Sequence, residues 1–416
     1  MSPGKNRNHS GALQVTGASV GARICSPPRS IGKASAKALE SKGCRGGLQI
    51  RAPRLPLGLR GSSCGVNPTQ QFDAILLGPE PPLALAPMQD VTHLPFWRIM
   101  ARYGGVDLFY TEYMRVHSVS KPERWIVDSI LKNPTGQPVI AQIIGNDIPS
   151  ILRTLPLLRA LPIAAVDLNL GCPAPVVYKK CAGGGLLRDL PLVDRLLGAM
   201  REAIPGRFTV KTRIGFDDHV TGALIPLLQK HRPDLVTVHG RTVLEMYRGG
   251  IHHEDIRAIA EALPCPVLAN GNVSSPETAA ETLLLTGARG LMIGRGAIRN
   301  PWLFQQIRQH RAGLPVTLPT GRDVLHYIEE LWEETWHTDS SENPHVHSMK
   351  RYLNFIGAGI AGDGKFLDQI RRARNKPGFF VICRDYLDHS GPMSLEPPEG
   401  LIQTGACGTN YDLCAQ

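Results

Sequence analysis

The 416-residue chain has few aromatic residues, and it lacks long apolar runs and paired cysteines. Aromatic side chains make up only 6%, yet the 42% hydrophobic share is that of an ordinary globular protein, and a chain of this length buries a large core. No run of 18 apolar residues occurs, so the sequence predicts no membrane span and no membrane partner. Its nine cysteines form no C-x-x-C pair and no cluster with histidine, so the sequence predicts no metal and favours a reducing compartment.

Acidic residues are almost missing from the first 72 residues, which hold 11 Lys and Arg but only Glu40. The other 344 residues hold 35 basic and 35 acidic side chains, so the net charge of +10 comes from this segment. It therefore does not by itself predict that the body binds nucleic acid.

The same segment has no apolar run of the kind found in a secretory signal peptide. Its composition fits an organellar transit peptide, but a disordered extension or translation from an early start codon is favoured. We expect residues 1–75 to form a basic, disordered tail. The expected location is cytoplasmic, or organellar if 1–72 is a transit peptide.

From about Pro81 onward, short apolar runs alternate with amphipathic stretches. The eight strand candidates are Leu83–Met88, Leu108–Tyr110, Val139–Ile143, Val166–Leu170, Phe208–Ile214, Leu235–Val238, Pro266–Ala269 and Gly290–Ile293. The helix candidates between them include Pro149–Ala160, Leu192–Ala203, Thr221–Lys230, His253–Ala262, Pro276–Thr286 and Pro301–Arg311. This rhythm predicts an α/β fold, a (β/α)8 TIM barrel over 76–315. An open doubly wound sheet is the alternative, but it would need a G-x-G-x-x-G turn where Ala-Pro-Met-Gln-Asp follows the first strand.

After about residue 313 the rhythm stops and the pattern becomes helical. Arg322–His337 is typical of an acidic amphipathic helix, 348–376 of a basic helical segment, and 377–389 of one more helix. The sequence therefore predicts a small C-terminal helical domain over 316–390, with a basic face suited to RNA. Residues 391–416 show no pattern and are expected to be loose.

Two glycine-containing turns follow the seventh and eighth predicted strands, where barrels of this kind often bind phosphate. They are Asn270-Gly271-Asn272 and Gly294-Arg295-Gly296. Glycine lets backbone N–H groups approach an anion, and Arg295 adds a bidentate donor. The alternative is a pair of tight turns with a solvated arginine, and the matching positions favour phosphate.

Polar side chains also end three other predicted strands. Lys211 at a barrel mouth would stabilise negative charge on a cofactor or intermediate. His239 is placed to hydrogen-bond a flavin or phosphate, and the amide of Gln142 to pair with a planar ring. Ordinary structural roles remain the alternative for each.

Cys172 lies just past the fourth strand, where its side chain would face the barrel mouth. An unperturbed thiol has a pKa of about 8.5, so at neutral pH it is mostly protonated and can act as a general acid. Cys181 is a second thiol on the same loop, and a structural role is favoured for it.

These segments resemble the tRNA-dihydrouridine synthase family. The matching stretches are Leu-Ala-Pro-Met-Gln (85–89), Ala-Gln-Ile-Ile-Gly (141–145), Asp-Leu-Asn-Leu-Gly-Cys-Pro (167–173), Gly-Gly-Gly-Leu-Leu (183–187), Val-Lys-Thr-Arg-Ile-Gly (210–215), Val-His-Gly-Arg-Thr (238–242), Asn-Gly-Asn-Val (270–273) and Met-Ile-Gly-Arg-Gly (292–296). They occur in family order over roughly 83–312, and the similarity continues to about 389.

The resemblance implies an FMN-bound barrel followed by a helical domain that helps to hold tRNA. It implies that NADPH reduces the flavin, that hydride passes to carbon 6 of a uracil, and that Cys172 protonates carbon 5. The residues implied for FMN are Pro87, Met88 and Gln89 lining the flavin, Gln142 pairing with its ring, Lys211 stabilising the reduced ring, His239 near the cofactor, and Asn270, Gly271, Asn272, Gly294 and Arg295 holding its phosphate. The target uridine would be drawn out of the tRNA fold.

Two departures from the family pattern concern Asn272, where the family often has an acid, and Cys181, which is unusual in this loop. Two other functions stay open: an FMN barrel that reduces a free pyrimidine, as a dihydroorotate dehydrogenase does, and a non-catalytic tRNA-binding protein. The tRNA position, the choice of NADPH over NADH and the oligomeric state are not fixed by the sequence.

Overall fold

The computed structural model describes residues 67–336, 342–360 and 363–397. Its strands are β1 (Leu83–Leu85), β2 (Leu108–Tyr110), β3 (Met114–Arg115), β4 (Val139–Ile144), β5 (Ala165–Leu170), β6 (Arg207–Arg213), β7 (Leu235–His239), β8 (Val267–Asn270) and β9 (Gly290–Ile293). Its helices are α1 (Pro68–Leu77), α2 (Leu94–Tyr103), α3 (Arg124–Leu131), α4 (Ile148–Arg159), α5 (Pro175–Tyr178), α6 (Leu190–Ala203), α7 (Thr221–His231), α8 (His253–Ala262), α9 (Pro276–Thr286), α10 (Arg295–Arg299), α11 (Leu303–Arg311), α12 (Gly321–Thr335), α13 (Glu342–Ile356), α14 (Lys365–Arg372) and α15 (Lys376–Leu387). Short 3₁₀ helices span Gly183–Arg188 and Gly357–Gly359.

Eight parallel strands close into a barrel, which confirms the predicted (β/α)8 fold. The order around the barrel is β2-β1-β9-β8-β7-β6-β5-β4, and pairing of β2 with β4 completes the circle. All eight predicted runs contribute a strand. The ninth strand, β3, has only two residues and pairs with the outer part of β4, which is too short a segment for a sequence pattern to reveal.

Local sequence explains where the helices around the barrel begin. Asp147 and Asp189 accept hydrogen bonds from backbone N–H groups at the starts of α4 and α6, and Ser275 forms a capping box with Thr278 at α9. Each of these three helices also has proline in its first turn, where the missing N–H costs nothing. Their apolar faces pack into the core that surrounds the barrel.

Helix α1 shows that order begins at residue 68, so the expectations of order only from about Pro81 and of a disordered tail through residue 75 are wrong for this segment. Phe72 and Leu76 are buried among residues of the barrel interior such as Leu108 and Ala165. Arg289 donates to the carbonyl oxygen of Leu76 and fixes the end of the helix. The sequence pattern does not reveal this helix, because its apolar residues lie only within 72–77, directly after a long polar segment. Residues 1–66 of the predicted tail lie outside the described residues.

The C-terminal helices share one core with the barrel instead of standing apart from it. The hydroxyl of Tyr327 in α12 donates to the carbonyl of Ile298, and that of Tyr352 in α13 donates to the carbonyl of Val91. The predicted helix over 348–376 is in fact interrupted: α13 ends at Ile356, and α14 and the start of α15 follow. The prediction of a loose segment from residue 391 is wrong for 391–397, since Leu395 is buried there. Residues 398–416 lie outside the described part.

Candidate active site

Parallel registers place the predicted site residues of neighbouring strands side by side at the carboxyl end of the barrel. Lys211 of β6 aligns with Asn169 of β5. His239 of β7 aligns with Arg213 on one side and with Asn270 of β8 on the other. Residues that are far apart along the chain thus line one mouth of the barrel. In barrels of this kind the active site lies at the carboxyl ends of the strands.

A cationic cluster of Lys211, Arg213, Arg241 and Arg295 occupies this mouth and surrounds His239. Burial and the four neighbouring cations hold the pKa of His239 well below its usual value, so its ring is neutral at pH 7. Burial lowers the pKa of Lys211 to about 8 and that of Arg241 to about 10. The field of this cluster therefore favours an anion.

The two arginines nearest the turns donate side-chain hydrogen bonds to neutral oxygen atoms. Arg241 donates to the backbone carbonyls of 248–249 at 2.8 and 2.6 Å and to Asn272 Oδ1 at 3.3 Å. Arg295 donates to the same Asn272 oxygen at 3.0 Å. The negative charge of Glu245 raises the pKa of Arg241, but burial and the neighbouring arginines outweigh it. An amide at position 272 thus orients both guanidinium groups without cancelling their charge, as an acid there would.

The turns after β8 and β9 have backbones that suit glycine and asparagine. Gly271 has φ 140°, and a Cβ there would collide with the side chain of Ile251. Asn272 has φ 49°, in the left-handed region that asparagine tolerates better than most residues. A Cβ on Gly294 would meet Met88 Sδ at 3.3 Å. Both turns therefore depend on small or permissive residues beside the cationic cluster.

Cys172 is half-buried just past β5, and its thiol lies next to the hydroxyl of Tyr113. The backbone N–H groups of Gly171 and Cys172 both donate to Asn169 Oδ1, at 3.0 and 2.9 Å, which fixes the bend of the chain. Burial raises the pKa of the Cys172 thiol. The thiol is therefore protonated at pH 7 and has a proton to give.

The loop that follows Cys172 folds back onto it. The N–H of Gly184 donates to the carbonyl of Cys172 at 3.1 Å, and a Cβ on Gly183 would come within 3.0 Å of Cys172 Cβ. Cys181 lies on the same loop, is partly buried and has φ 53°. Cys172 is one of three free thiols in the described residues, and the others, Cys265 and Cys383, lie on different elements.

Pro87, Met88 and Gln89 follow β1 and are each partly exposed at the mouth. Met88 lies against Gly294, and its own N–H donates to the hydroxyl of Thr92 at 2.7 Å. The side-chain oxygen of Gln89 is buried and has no hydrogen-bond partner among the described residues. Such an atom calls for a further donor.

Gln142 lies in a buried polar network below the mouth. Its Nε2 donates to Asp167 Oδ2 at 2.8 Å, and its Oε1 accepts from Asn169 Nδ2 at 2.8 Å. Burial raises the pKa of Asp167 to about 6. The Gln142 amide therefore keeps one N–H and one lone pair for another group.

Sequence reasoning assigned no role to several side chains that complete the mouth: Tyr113, Asp167, Asn169, Arg213, Arg241 and Tyr247. A usable signal was present for some of them. Alternate residues of a strand share a face, so Lys211 predicts Arg213, and Asn169 predicts Asp167. Tyr247 stands on a loop, where its ring lies 5.5 Å from Arg213 and 5.1 Å from Arg295, and no periodicity predicts that.

The predicted basic face of the C-terminal helices is smaller than the sequence suggested. Lys350 Nζ donates to the carbonyl of Arg371. Burial lowers the pKa of Lys350, and the nearby charge of Arg374 lowers it further. Lys350, Arg371 and Arg374 therefore lie together. Lys365 and Lys376 instead form ion pairs with Asp363 and Glu333. We call Lys350, Arg371, Arg372 and Arg374 the α13–α14 basic patch.

Comparison with known proteins identifies the family. The family model described as dihydrouridine synthase (Dus) matches residues 84–378, more than half of the chain. The chain belongs to the dihydrouridine synthase family. It is 32% identical to tRNA-dihydrouridine synthase B of Pseudomonas aeruginosa, over 73% of this chain and 92% of that protein. It is 35% identical to a probable tRNA-dihydrouridine synthase of Helicobacter pylori, over 60% of this chain and 77% of that protein.

Members of this family are flavin-dependent oxidoreductases that act on uridines of tRNA, and the chain is an enzyme of this class. The family, the barrel fold and the reduction of tRNA uridines, which the sequence motifs implied, are thereby confirmed. Within the described residues, no helix has both the length and the apolar character to cross a bilayer.

Proposed function

We propose that the chain binds FMN at the barrel mouth, is reduced by NADPH, and reduces the carbon 5–carbon 6 double bond of specific uridines in tRNA with Cys172 as the general acid. The observation that carries this proposal is the cationic cluster. Buried guanidinium groups beside two glycine-containing turns are costly to fold unless an anion binds there, and the phosphate of FMN is such an anion.

The residues present fit the cofactor. Gly271, Asn272, Gly294 and Arg295 would hold its phosphate, with Arg241 as an additional donor that the sequence did not suggest. Two buried side-chain atoms without a partner among the described residues, Gln89 Oε1 and His239 Nδ1, match a ligand rich in donors and acceptors. Met88 and Pro87 supply apolar surface, and Gln142 has one N–H and one acceptor position left for a ring edge.

Bound FMN would supply the hydride chemistry, accepting hydride from NADPH and delivering it to carbon 6 of the uracil. Lys211 would stabilise the negative charge that this reduction places near the mouth, since its ammonium group is held there by Asn270. The protonated thiol of Cys172 would give its proton to carbon 5. Tyr113, against that thiol, would help to orient it.

The RNA would contact the α13–α14 basic patch, which lies on the helices packed beside the barrel. Exposed arginines there match a phosphate backbone, whose charge supplies most sequence-independent affinity. A uridine within folded tRNA cannot reach a barrel mouth while stacked, so it would be drawn out of the fold. The cytoplasmic location stays a prediction, because it depends on residues 1–72.

The test is an absorbance spectrum of the purified chain, followed by NADPH and then by tRNA lacking dihydrouridine, all without oxygen. We expect a flavin spectrum that bleaches with NADPH and returns with tRNA, and dihydrouridine in the recovered RNA by mass spectrometry. NADH in place of NADPH measures the preference for the reductant.

Two other outcomes would favour the competing functions. Reoxidation by free uracil or orotate, with none by tRNA, would favour a free-pyrimidine reductase. Tight tRNA binding by a chain that stays colourless after FMN is supplied would favour a non-catalytic RNA-binding protein and would overturn the proposal.

A further inference from the structure

A group of potential metal ligands lies on the loops around the mouth, apart from the residues assigned to FMN. His219 comes from the loop between β6 and α7, and His252 and Asp255 come from the start of α8. One potential ligand atom from each of the three side chains lies within 4.8 Å of the other two. His219 Nδ1 is 2.8 Å from Asp255 Oδ2, and the two imidazole rings meet edge to face with centroids 4.4 Å apart.

We propose that His219, His252 and Asp255 bind a divalent transition-metal ion of the zinc type. Two imidazoles and one carboxylate are a donor set that zinc accepts, with metal–ligand bonds of about 2.0–2.2 Å. In a tetrahedral site the ligand atoms are then about 3.3–3.5 Å apart. The ligand atoms now lie within 4.8 Å of one another, so the three side chains would close around the ion as it binds.

The surroundings of His252 supply the outer partners that a metal-bound histidine needs. Its Nε2 is 3.0 Å from Glu245 Oε1, and its Nδ1 is 3.3 Å from Glu254 Oε1. Whichever ring nitrogen binds the metal, the other keeps a carboxylate that fixes the ring and raises its basicity. The carboxylate displaced from the binding nitrogen then stands beside the metal as a fourth ligand.

Charge at the site also favours a cation. Three carboxylates, Glu245, Glu254 and Asp255, surround two imidazoles that are neutral when they bind metal. Acidic residues in the first turn of a helix are stabilised by the helix dipole, which accounts for Glu254 and Asp255. His219 approaches Asp255 from a different loop, at 2.8 Å, so a metal ion bound here would be shared by two loops.

The sequence could not reveal this site. His252 and Asp255 are three residues apart and share a helix face, but His219 precedes them by more than thirty residues. Only the neighbouring positions of β6 and β7 in the barrel bring the two loops together. A metal here would tie the β6–α7 loop to the segment 242–252, which carries Tyr247 over Arg295. It would thus hold the loop that covers the cationic cluster.

The experiment is titration of the tag-free full chain, first stripped with a chelator, with Zn²⁺ by calorimetry and with Co²⁺ by visible absorption. We expect one equivalent to bind at the site, a Co²⁺ spectrum of tetrahedral intensity, and a rise in melting temperature with Zn²⁺. His219→Ala and His252→Ala should each abolish the Co²⁺ band. Glu245→Gln and Glu254→Gln should weaken binding, by about 10- to 100-fold for the one that serves as the outer partner.

Controls separate this site from other metal contacts and from misfolding. His326→Ala removes an exposed histidine paired with Glu329 far along the chain, and it should bind metal as the unmodified chain does. Circular dichroism of His219→Ala, whose side chain is 40% exposed, checks that the fold persists. A Co²⁺ band that survives in both histidine variants, or no binding by the unmodified chain, would overturn the proposal. Neither result depends on whether FMN binds.

Discussion

Lys211 donates a hydrogen bond from its ammonium group to Asn270 Oδ1 across 3.2 Å, reaching past β7 to the end of β8. The amide of Asn270 is itself oriented by donation from its Nδ2 to the carbonyl of Met292 at 2.8 Å. The lysine is thus held toward the mouth by a neutral acceptor. Burial and the nearby Arg213 outweigh Asp167 and lower its pKa to about 8.

This pKa gives FMN binding a pH dependence. As the pH rises through about 8, Lys211 loses its charge, and we expect affinity for the anionic cofactor to fall by up to about tenfold per pH unit. Quenching of flavin fluorescence measures this affinity. Lys211→Arg keeps its charge at these pH values, so its affinity should stay constant. Parallel curves for the two proteins would contradict the assignment.

The same lysine affects the stability of the flavin-free chain in the opposite direction. Its folded pKa of about 8 lies below the ordinary value of 10.5, so between these values the unfolded chain binds more protons. The contribution of Lys211 to the free energy of unfolding therefore rises with pH across this window. Denaturant unfolding of the native chain and of Lys211→Met at several pH values should show the difference, and equal slopes would contradict it.

Cys172→Ala separates flavin reduction from proton transfer to the uracil. We expect bleaching by NADPH to be unchanged, and reoxidation by tRNA to slow by about 10²–10⁴-fold, as for loss of a general acid. Stopped-flow absorbance follows both steps. Cys265→Ala removes a free thiol elsewhere on the chain and should reoxidise normally. If Cys172→Ala reoxidised as fast as the native chain, another group would be the acid.

Gly271→Ala tests the turn after β8. The substitution places a side chain at φ 140° and against Ile251, so we expect loss of FMN and a destabilisation of at least about 1–2 kcal/mol. Thermal unfolding and the flavin content of purified protein measure the two effects. Gly206→Ala is the matched control, since no described atom lies within 4 Å of a Cβ there. Adding Ile251→Ala should recover part of the stability, and no recovery would show that the collision is not the cause.

The α13–α14 basic patch should give tRNA binding a salt dependence. Arg371→Ala with Arg374→Ala should reduce the slope of log affinity against log salt by about 0.7–0.9 for each RNA phosphate that these arginines neutralise. Filter binding at several salt concentrations measures the slope. Lys365→Ala, in the same helices but paired with Asp363, should leave the slope unchanged. An unchanged slope in the double variant would place the RNA elsewhere.

Helix α1 should contribute strongly to stability although it precedes the barrel. Phe72 is fully buried, and Phe72→Ala should cost about 3–5 kcal/mol in the free energy of unfolding. Leu77→Ala, at a side chain 82% exposed on the same helix, should change it by less than about 0.5 kcal/mol. Chemical denaturation compares the two. Equal effects would show that α1 does not close the barrel interior.

Much of the fold and site could be predicted because local chemistry repeats along this chain. Apolar runs ended by polar residues mark the barrel strands, so Leu235–Val238 and Pro266–Ala269 predict β7 and β8 to within one residue at each end. Motifs such as 167–173 and 292–296 carry the family resemblance and the positions of Cys172 and Arg295. The two-residue strand β3 and helix α1 could not be predicted in this way, because their neighbours in space are mostly distant segments of the chain.

The sequence by itself determined the order of strands, the residues at their ends and the family. Only the tertiary structure decided which of those residues meet and with what charge. Arg241 and Arg295 share Asn272 because two loops close over neighbouring strands, and His219 meets Asp255 for the same reason. Burial then sets the protonation of Lys211, His239 and Cys172. Such properties depend on desolvation and on distances through space, which the order of residues along a chain does not state.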